Sequence, residues 1–361
     1  MAANAPSPRI QLRVLVLFFF VGAAPLILMH MALVGGAESR FRTTVGTYFS
    51  HRCDQLQQNL VDHVETLVVE IENLAALPTL LEAVQRADAN PPREATFERE
   101  IQQIEAQWAE LTPEDSKLLQ AILEDPAASL MRDLNRVATR FREILLTDRY
   151  GRLVAATGKP SDYFQADEEW WRVAFLEGQG QRYLSDIQYD ESAGVYSLDI
   201  ALPMRSEEGG EVLGIVKAIV DSHSVLRLVD NLLFGETATA IILRDDGTLA
   251  TSPGSDEIYP FAGEVRAAMA RGQRWLEVPE EKPRLFLGLP AKKVSDVLPE
   301  LPWTVVIEAE RDEVFEPFRN LRTSFAYVVG LGLGLVVLLA LIFSWILSKP
   351  IIEVDPHLDR V

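Results

Sequence analysis

Cysteine is almost missing from this chain: Cys53 is the only one among 361 residues. No disulfide can form within one copy, so any part that folds outside the reducing cytosol must be held by its own core. Histidine is scarce as well. His30, His51, His63, His223 and His357 are scattered, with no His-Glu-x-x-His pair and no cysteine cluster to hold zinc. Base is in deficit, with 34 Lys and Arg against 53 Asp and Glu, a net charge of −19. So acidic a chain is a poor partner for nucleic acid or anionic lipid. Gly330, Gly332 and Gly334 form no dinucleotide loop, because they lie in an apolar run. No nucleophile–base pair or metal constellation stands out, so neither an enzyme nor a cofactor is expected.

What the chain does have is two long apolar runs. Residues 14–34 are broken only by Pro25 and His30, and residues 325–347 carry no charge. Each is long enough, at about 1.5 Å per residue, to cross a hydrocarbon layer about 30 Å thick. The first exceeds the usual h-region of a signal peptide and reads as an uncleaved anchor. Arg9 and Arg13 precede the first run, and Lys349 and Arg360 follow the second. The positive-inside rule then places both termini in the cytoplasm and residues 35–324, which hold the acid excess, outside. Tyr327 and Trp345 sit near opposite ends of the second run, as interfacial aromatics do. Gly330 and Gly334 have the spacing that lets two spans approach. The expected location is a membrane crossed twice, with the region between the spans extracytoplasmic.

Between the spans the period changes once. Residues 38–143 read as helical. Phe49, Cys53, Leu56, Leu60, Val64, Leu67, Ile71 and Leu74 alternate threes and fours along a helix expected over 38–87. That is the seam of a coiled coil or of a helix packed along its length. Thr112, Pro113, Glu114 and Asp115 read as the start of a later helix. From residue 144 the pattern is strand-like and repeats. Asp148 to Gly151 between apolar runs is a hairpin turn, and Asp245 to Gly247 is its shorter counterpart. Leu202-Pro203 matches Leu289-Pro290, and the strand at 213–220 matches that at 303–310. Two modules follow, 144–232 and 233–324, each of hairpin, helix and three strands. The fold class expected is α+β: a long N-terminal helix and two tandem antiparallel-sheet modules, flanked by two transmembrane helices.

This order resembles the double Cache family, whose tandem PAS-like modules serve as extracytoplasmic sensors of bacterial transmembrane receptors. Leu347, Ser348, Lys349 and Pro350 also resemble the entrance of a HAMP signalling helix, over 348–361, after a cytoplasmic N-terminus at 1–13. The resemblance implies that a small extracytoplasmic ligand binds the membrane-distal first module. The second module would transmit to the second span, and a cytoplasmic output domain or partner protein would read the signal. The apolar seam of the helix after the first span, with Cys53 on it, is expected to pair two copies as a homodimer. A membrane-anchored binding scaffold that serves a transporter or envelope complex is the alternative.

The richest candidate site is Asp162, Tyr163, Phe164, Gln165, Ala166, Asp167, Glu168, Glu169, Trp170 and Trp171, four aromatics and four acids leading into a helix. Pockets favour aromatics with a few placed polar groups. Neighbours on a helix point about 100° apart, so one tryptophan is expected in the core and the other in a pocket. In the amino-acid-binding members that the chain resembles, this position reads Arg-x-Trp-Tyr, the arginine clamping the ligand carboxylate and a later aspartate taking the ammonium. Here Glu168 replaces that arginine, and Ile219 stands at the later position. Tyr189 matches a pocket tyrosine. Lys217 is either a pocket cation or a solvated strand residue. The expected ligand-binding set is Tyr163, Gln165, Asp167, Glu168, Trp170, Trp171, Tyr183, Asp186 and Tyr189. With acids and aromatic faces and no arginine clamp, a cationic amine is expected. A neutral ligand held by Gln165 and tyrosine hydroxyls is the alternative.

Overall fold

The computed structural model describes residues 12–13, 16–138, 140–190, 193–206, 210–230, 235–250, 257–278 and 285–347. The HAMP-like segment at 348–361, with Lys349 and Arg360, and Arg9 in the N-terminal segment lie outside the described residues. The chain divides into two compact units, residues 47–310 and residues 1–46 with 311–361.

The larger unit is helical first. Helix α1 (Ala24–Ala75) is followed by α2 (Pro78–Asp88), α3 (Phe97–Trp108), α4 (Lys117–Leu123) and α5 (Pro126–Ala138). The helix expected over 38–87 breaks at residues 76–77. Pro78 opens α2, and Leu77 before it is extended (φ −70°, ψ 133°), as a residue preceding proline prefers. Thr112 to Asp115 does not begin a helix. The Thr112 hydroxyl donates to Asp115 Oδ2 (2.8 Å), closing a turn, and Ser116 caps α4 by accepting from Leu119 N. Phe49, Cys53, Leu56, Leu60, Val64, Leu67 and Ile71 are at most 3% exposed. Within this unit the seam therefore packs on the chain's own sheets, and Cys53 is a small buried hydrophobe. Phe49 meets Phe286 edge-on at 5.3 Å, and any Cβ at Gly288 would stand 2.6 Å from that of Phe49.

The first module holds β1 (Phe141–Asp148), β2 (Leu153–Ala156), α6 (Glu169–Phe175), β3 (Tyr183–Leu184), β4 (Gln188–Asp190), β5 (Val195–Arg205) and β6 (Val212–Asp221). Its antiparallel sheet runs β2-β1-β6-β5-β3, with β4 also on β5. After α7 (Ser222–Asp230) come β7 (Thr239–Arg244), α8 (Ala262–Ala270), β8 (Trp275–Val278), β9 (Leu285–Gly288) and β10 (Trp303–Glu310), the second sheet running β7-β10-β9-β8. The repeat extends to single hydrogen bonds. Gln165 N donates to Gly151 O and Tyr259 N to Gly247 O, each at 2.8 Å.

Register fixes the surface on which the site is built. Glu143, Ile219 and Asp199 lie in one row across β1, β6 and β5; Leu145, Lys217 and Ala201 form the next; Thr147, Ile215 and Pro203 the third. Alternation puts all nine on one face. Trp108, Leu119, Ile122, Trp170, Trp171 and Ala174 cover that face with a shared apolar cluster.

Two helices are long and apolar enough to cross a membrane: residues 16–75, in which a π-helical turn (Phe19–Ala23) leads into α1 and whose first part, up to residue 46, belongs to the smaller unit, and 316–346 of α9 (Glu316–Leu347). Within this unit Phe18 meets Phe343 at 5.7 Å. The close approach is made by Gly22, against Val336, and by Gly332, against Leu26, whereas among the described residues nothing stands within 4 Å of a Cβ at Gly330 or Gly334.

Candidate functional site

The segment that carries the aromatics and acids is held from two sides. From α3, Glu105 Oε1 accepts the backbone N–H groups of Tyr163 (2.9 Å) and Phe164 (2.6 Å), and Trp108 Nε1 donates to Pro160 O (2.9 Å). Burial pushes the Glu105 carboxyl up, and the two backbone donors act against this. From the β1–β2 turn, Gly151 has φ +81°, and a Cβ there would collide with that of Ala166. Both the left-handed backbone and the close approach require glycine. The turn itself is set by Asp148, whose carboxylate accepts from Tyr150 N, Arg152 N and Arg152 Nε.

Both tryptophans are buried, Trp170 at 5% and Trp171 at 6% exposure, against the expectation that one would leave the core. An angle of about 100° between neighbours lets two large side chains straddle the direction to the sheet, each about 50° from it. Trp171 Nε1 donates to Thr147 Oγ1 on β1 (3.0 Å), and its ring stacks on Phe175 at 4.6 Å. The Trp170 ring lies over β6, with Lys217 Nζ 5.1 Å from its centroid.

Lys217 is not solvated. It is 7% exposed and paired to Asp199 Oδ2 (2.9 Å) and Asp190 Oδ2 (3.6 Å). Burial alone would lower its pKa, but Asp199, Asp190 and the buried Glu143 outweigh burial and raise it, so the ammonium is charged. Asp199 is itself fixed. Its Oδ1 accepts from Ser197 Oγ (2.9 Å), and its N–H donates to Ser185 Oγ (2.8 Å).

Near this ion pair stand Asp162, Asp167 and Glu168, with carboxylate oxygens within 4.8 Å of one another. Burial, and then the neighbouring acids, push the Asp162 and Glu168 carboxyls up; hydrogen bonds to Asp162 and the field of Lys217 act against this. Tyr183 belongs to the same electrostatic neighbourhood. Burial, then Asp199, Glu169 and Glu168, push its hydroxyl up to about 12. Gln165 is buried, and its amide donates to Asp162 Oδ1 (2.7 Å). Tyr163 is buried against Trp108, at 5.6 Å between rings.

Two of the residues picked out in the sequence lie elsewhere. Tyr189 is 57% exposed, against Tyr196 on the sheet face opposite Asp190. Asp186 joins the two modules: Oδ1 accepts from Trp303 Nε1 (2.8 Å) and Oδ2 from Arg244 Nε (2.6 Å). The sequence reading missed Glu105, Glu143, Asp190 and Asp199. Asp199 carried a signal, since it is the charged residue inside the apolar run 195–204 and lies one strand from Lys217. In the second module Tyr259 takes the place of Gln165, and its hydroxyl donates to Glu308 (2.7 Å).

Known proteins bear on this arrangement. The family profile described as Cache domain matches residues 42–318. Among curated relatives, the methyl-accepting chemotaxis protein PctB of Pseudomonas aeruginosa is 24% identical over 205 residues, covering 56% of this chain and 31% of that protein. The methyl-accepting chemotaxis protein McpA of Pseudomonas putida is 23% identical over 169 residues, 46% of this chain and 25% of that one. The matched segments are thus about a third or less of those relatives. Among solved structures, the ligand-binding domain of PctB in complex with L-Gln aligns at 20% identity and a TM-score of 0.45, covering 74% of this chain and 92% of that one. The ligand-binding domain of the Pseudomonas fluorescens chemoreceptor CtaA in complex with L-leucine gives 15% identity and a TM-score of 0.47, covering 77% and 99%. With a family profile matched over most of its length, this chain belongs to the Cache domain family.

Proposed function

We propose that this chain is the sensory portion of a two-pass receptor of the bacterial inner membrane. A small periplasmic ligand, a cationic amine, binds the first module. It biases a two-state equilibrium, and the bias passes through the second module and α9 to a cytoplasmic output. The receptor works as a homodimer. The observation that carries the ligand class is the charge balance around Trp170. Lys217 is matched by Asp199 and Asp190, which leaves Asp162, Asp167 and Glu168 beside Trp170 and Tyr183. An incoming carboxylate would meet like charges after losing its water. A cation gains those charges and aromatic faces, at about 0.5–2 kcal/mol per good cation–π contact.

The test is thermal unfolding of the full chain in nanodiscs against amines, amino acids, organic acids and purines. A ligand at 100 times its dissociation constant adds about 2.7 kcal/mol. Stabilisation by amines that Glu168→Gln and Trp170→Ala each weaken, and that Phe261→Ala leaves intact, is the expected result. Stabilisation by organic acids and none by amines would overturn the ligand class.

A further inference from the structure

We infer that Lys217 is a tethered occupant of the site: its ammonium fills a cation cage made by Asp199, Asp190 and the face of Trp170, and removing it opens that cage to a small primary ammonium ion. The inference rests on reading this face of the first module as the ligand site.

The position is an unexpected one for a lysine. β6 lies between β1 and β5, and Lys217 stands two residues from Ile215 and two from Ile219 on the same covered face. Burial of a lysine is rare, and an apolar residue of similar volume in place of a buried ion pair is commonly neutral or stabilising. Packing alone therefore gives no reason for the charge. The surroundings are those of an ammonium receptor: one carboxylate at 2.9 Å, a second at 3.6 Å, and an aromatic ring centred 5.1 Å away. An ammonium has three donors in a tetrahedral head, and a ring face attracts it within about 6 Å.

The cage is also held without its occupant. Ser197 donates to Asp199 Oδ1 while Lys217 uses Oδ2, and the Asp199 backbone is fixed to Ser185. Trp170 is set by α6 and by burial in the apolar cluster. A receptor for ammonium is thus preorganised, and the chain supplies the ammonium itself. The consequence for specificity is direct: a free amine cannot seat its head on Asp199 while Lys217 is there, so the natural ligand's cation is confined to the outer acids, Asp162, Asp167 and Glu168.

The experiment removes the tether and returns the lost piece. Lys217→Ala deletes a propylammonium fragment, and Lys217→Met keeps most of the stem and deletes the charged head. Thermal unfolding of the full chain in nanodiscs is followed with propylammonium for the alanine variant and with ammonium for the methionine variant. Tetramethylammonium, which has no N–H, is the control in both. We expect Lys217→Ala to bind propylammonium at least tenfold tighter than wild type, and Asp199→Asn in that background to abolish the gain. Equal responses of wild type and both variants, or equal rescue by tetramethylammonium, would overturn the inference. So would failure of both variants to fold with their probes present. The outcome is separable from the ligand class proposed above, which is read on wild type. Rescue of the variant with a wild type indifferent to every amine would keep the cage and reject the amine as natural ligand.

Discussion

Replacing Asp186 with alanine should loosen the junction between the two modules by an amount that the contacts set. Its carboxylate accepts from Trp303 Nε1 (2.8 Å), from Ile187 N (2.7 Å) and from Arg244 Nε (2.6 Å). Trp303 is fully buried, so its N–H would be left without a partner, at about 1–3 kcal/mol. The ion pair is half open to water, with Asp186 at 32% and Arg244 at 15% side-chain exposure. Screening keeps its loss near the low end of the range of about 1.5–3 kcal/mol for a charged hydrogen bond. Arg244 also keeps its bonds to Leu249 O and Ile187 O, which limits the damage further. The total is about 2–4 kcal/mol for Asp186→Ala. Asp186→Asn retains an acceptor for Trp303 and should cost about half as much. Thermal unfolding of the full chain, read by tryptophan fluorescence, should fall by about 4–16 °C for alanine, at roughly 2–4 °C per kcal/mol for a unit of this size. A fall under about 1 °C, or equal falls for alanine and asparagine, would refute the junction role.

Gly151→Ala should cost more than the about 1–2 kcal/mol of a left-handed alanine, because its Cβ would strike Ala166; amine binding should fall with stability, and a variant of wild-type melting temperature would count against the turn's role. Cys53, fully buried and with its thiol pushed up to about 12, first by burial, should resist maleimide in the folded chain, react on denaturation and give no disulfide dimer on non-reducing gels. A dimer band that Cys53→Ser removes would contradict the packing of α1. Amine binding should weaken on acidification. Asp162 and Glu168 have their pKa values raised above 3.8 and 4.5, so they take up protons before ordinary carboxylates do. Raised folded values also mean that their contribution to stability is present at low pH and lost as pH rises through those values. The ligand-free unit should therefore gain from mild acid while the amine-bound unit loses, and parallel pH profiles with and without amine would reject that linkage.

The fold was legible because its signals are local. Period-two apolar runs, Asp-Gly turns at Gly151 and Gly247, and their recurrence in the second half are each read within a dozen residues. The break at residues 76–77 is legible too, from Pro78, although the apolar seam by itself predicts a helix that continues. The site was half legible. Asp162, Gln165, Asp167, Glu168 and Trp170 are close in sequence and remain together in space. Lys217, Asp199 and Asp190 come from three strands, and only the pairing register decides that they meet. Asp186 and Tyr189 follow closely on Tyr183, yet Asp186 points to the second module, and strand alternation turns Tyr189 to the opposite face.

Two ion pairs of the first module show why buried charges must be judged by position. Arg152 and Asp148 meet at 2.6 Å within one hairpin, where the same carboxylate also takes two backbone N–H groups. Turn geometry explains that pair in full: Asp148 makes the Asx turn, and Arg152 neutralises it. Lys217 and Asp199 make no turn and cap no helix. They lie on neighbouring strands in the middle of a covered face, beneath an aromatic ring, where apolar side chains would do as well for stability. A charge that local structure demands is evidence about folding. A charge that local structure does not demand, on the face proposed as the ligand site, bears on what that proposed site recognises. That distinction makes the Lys217 variants, rather than any change at Asp148, the informative substitutions for ligand chemistry.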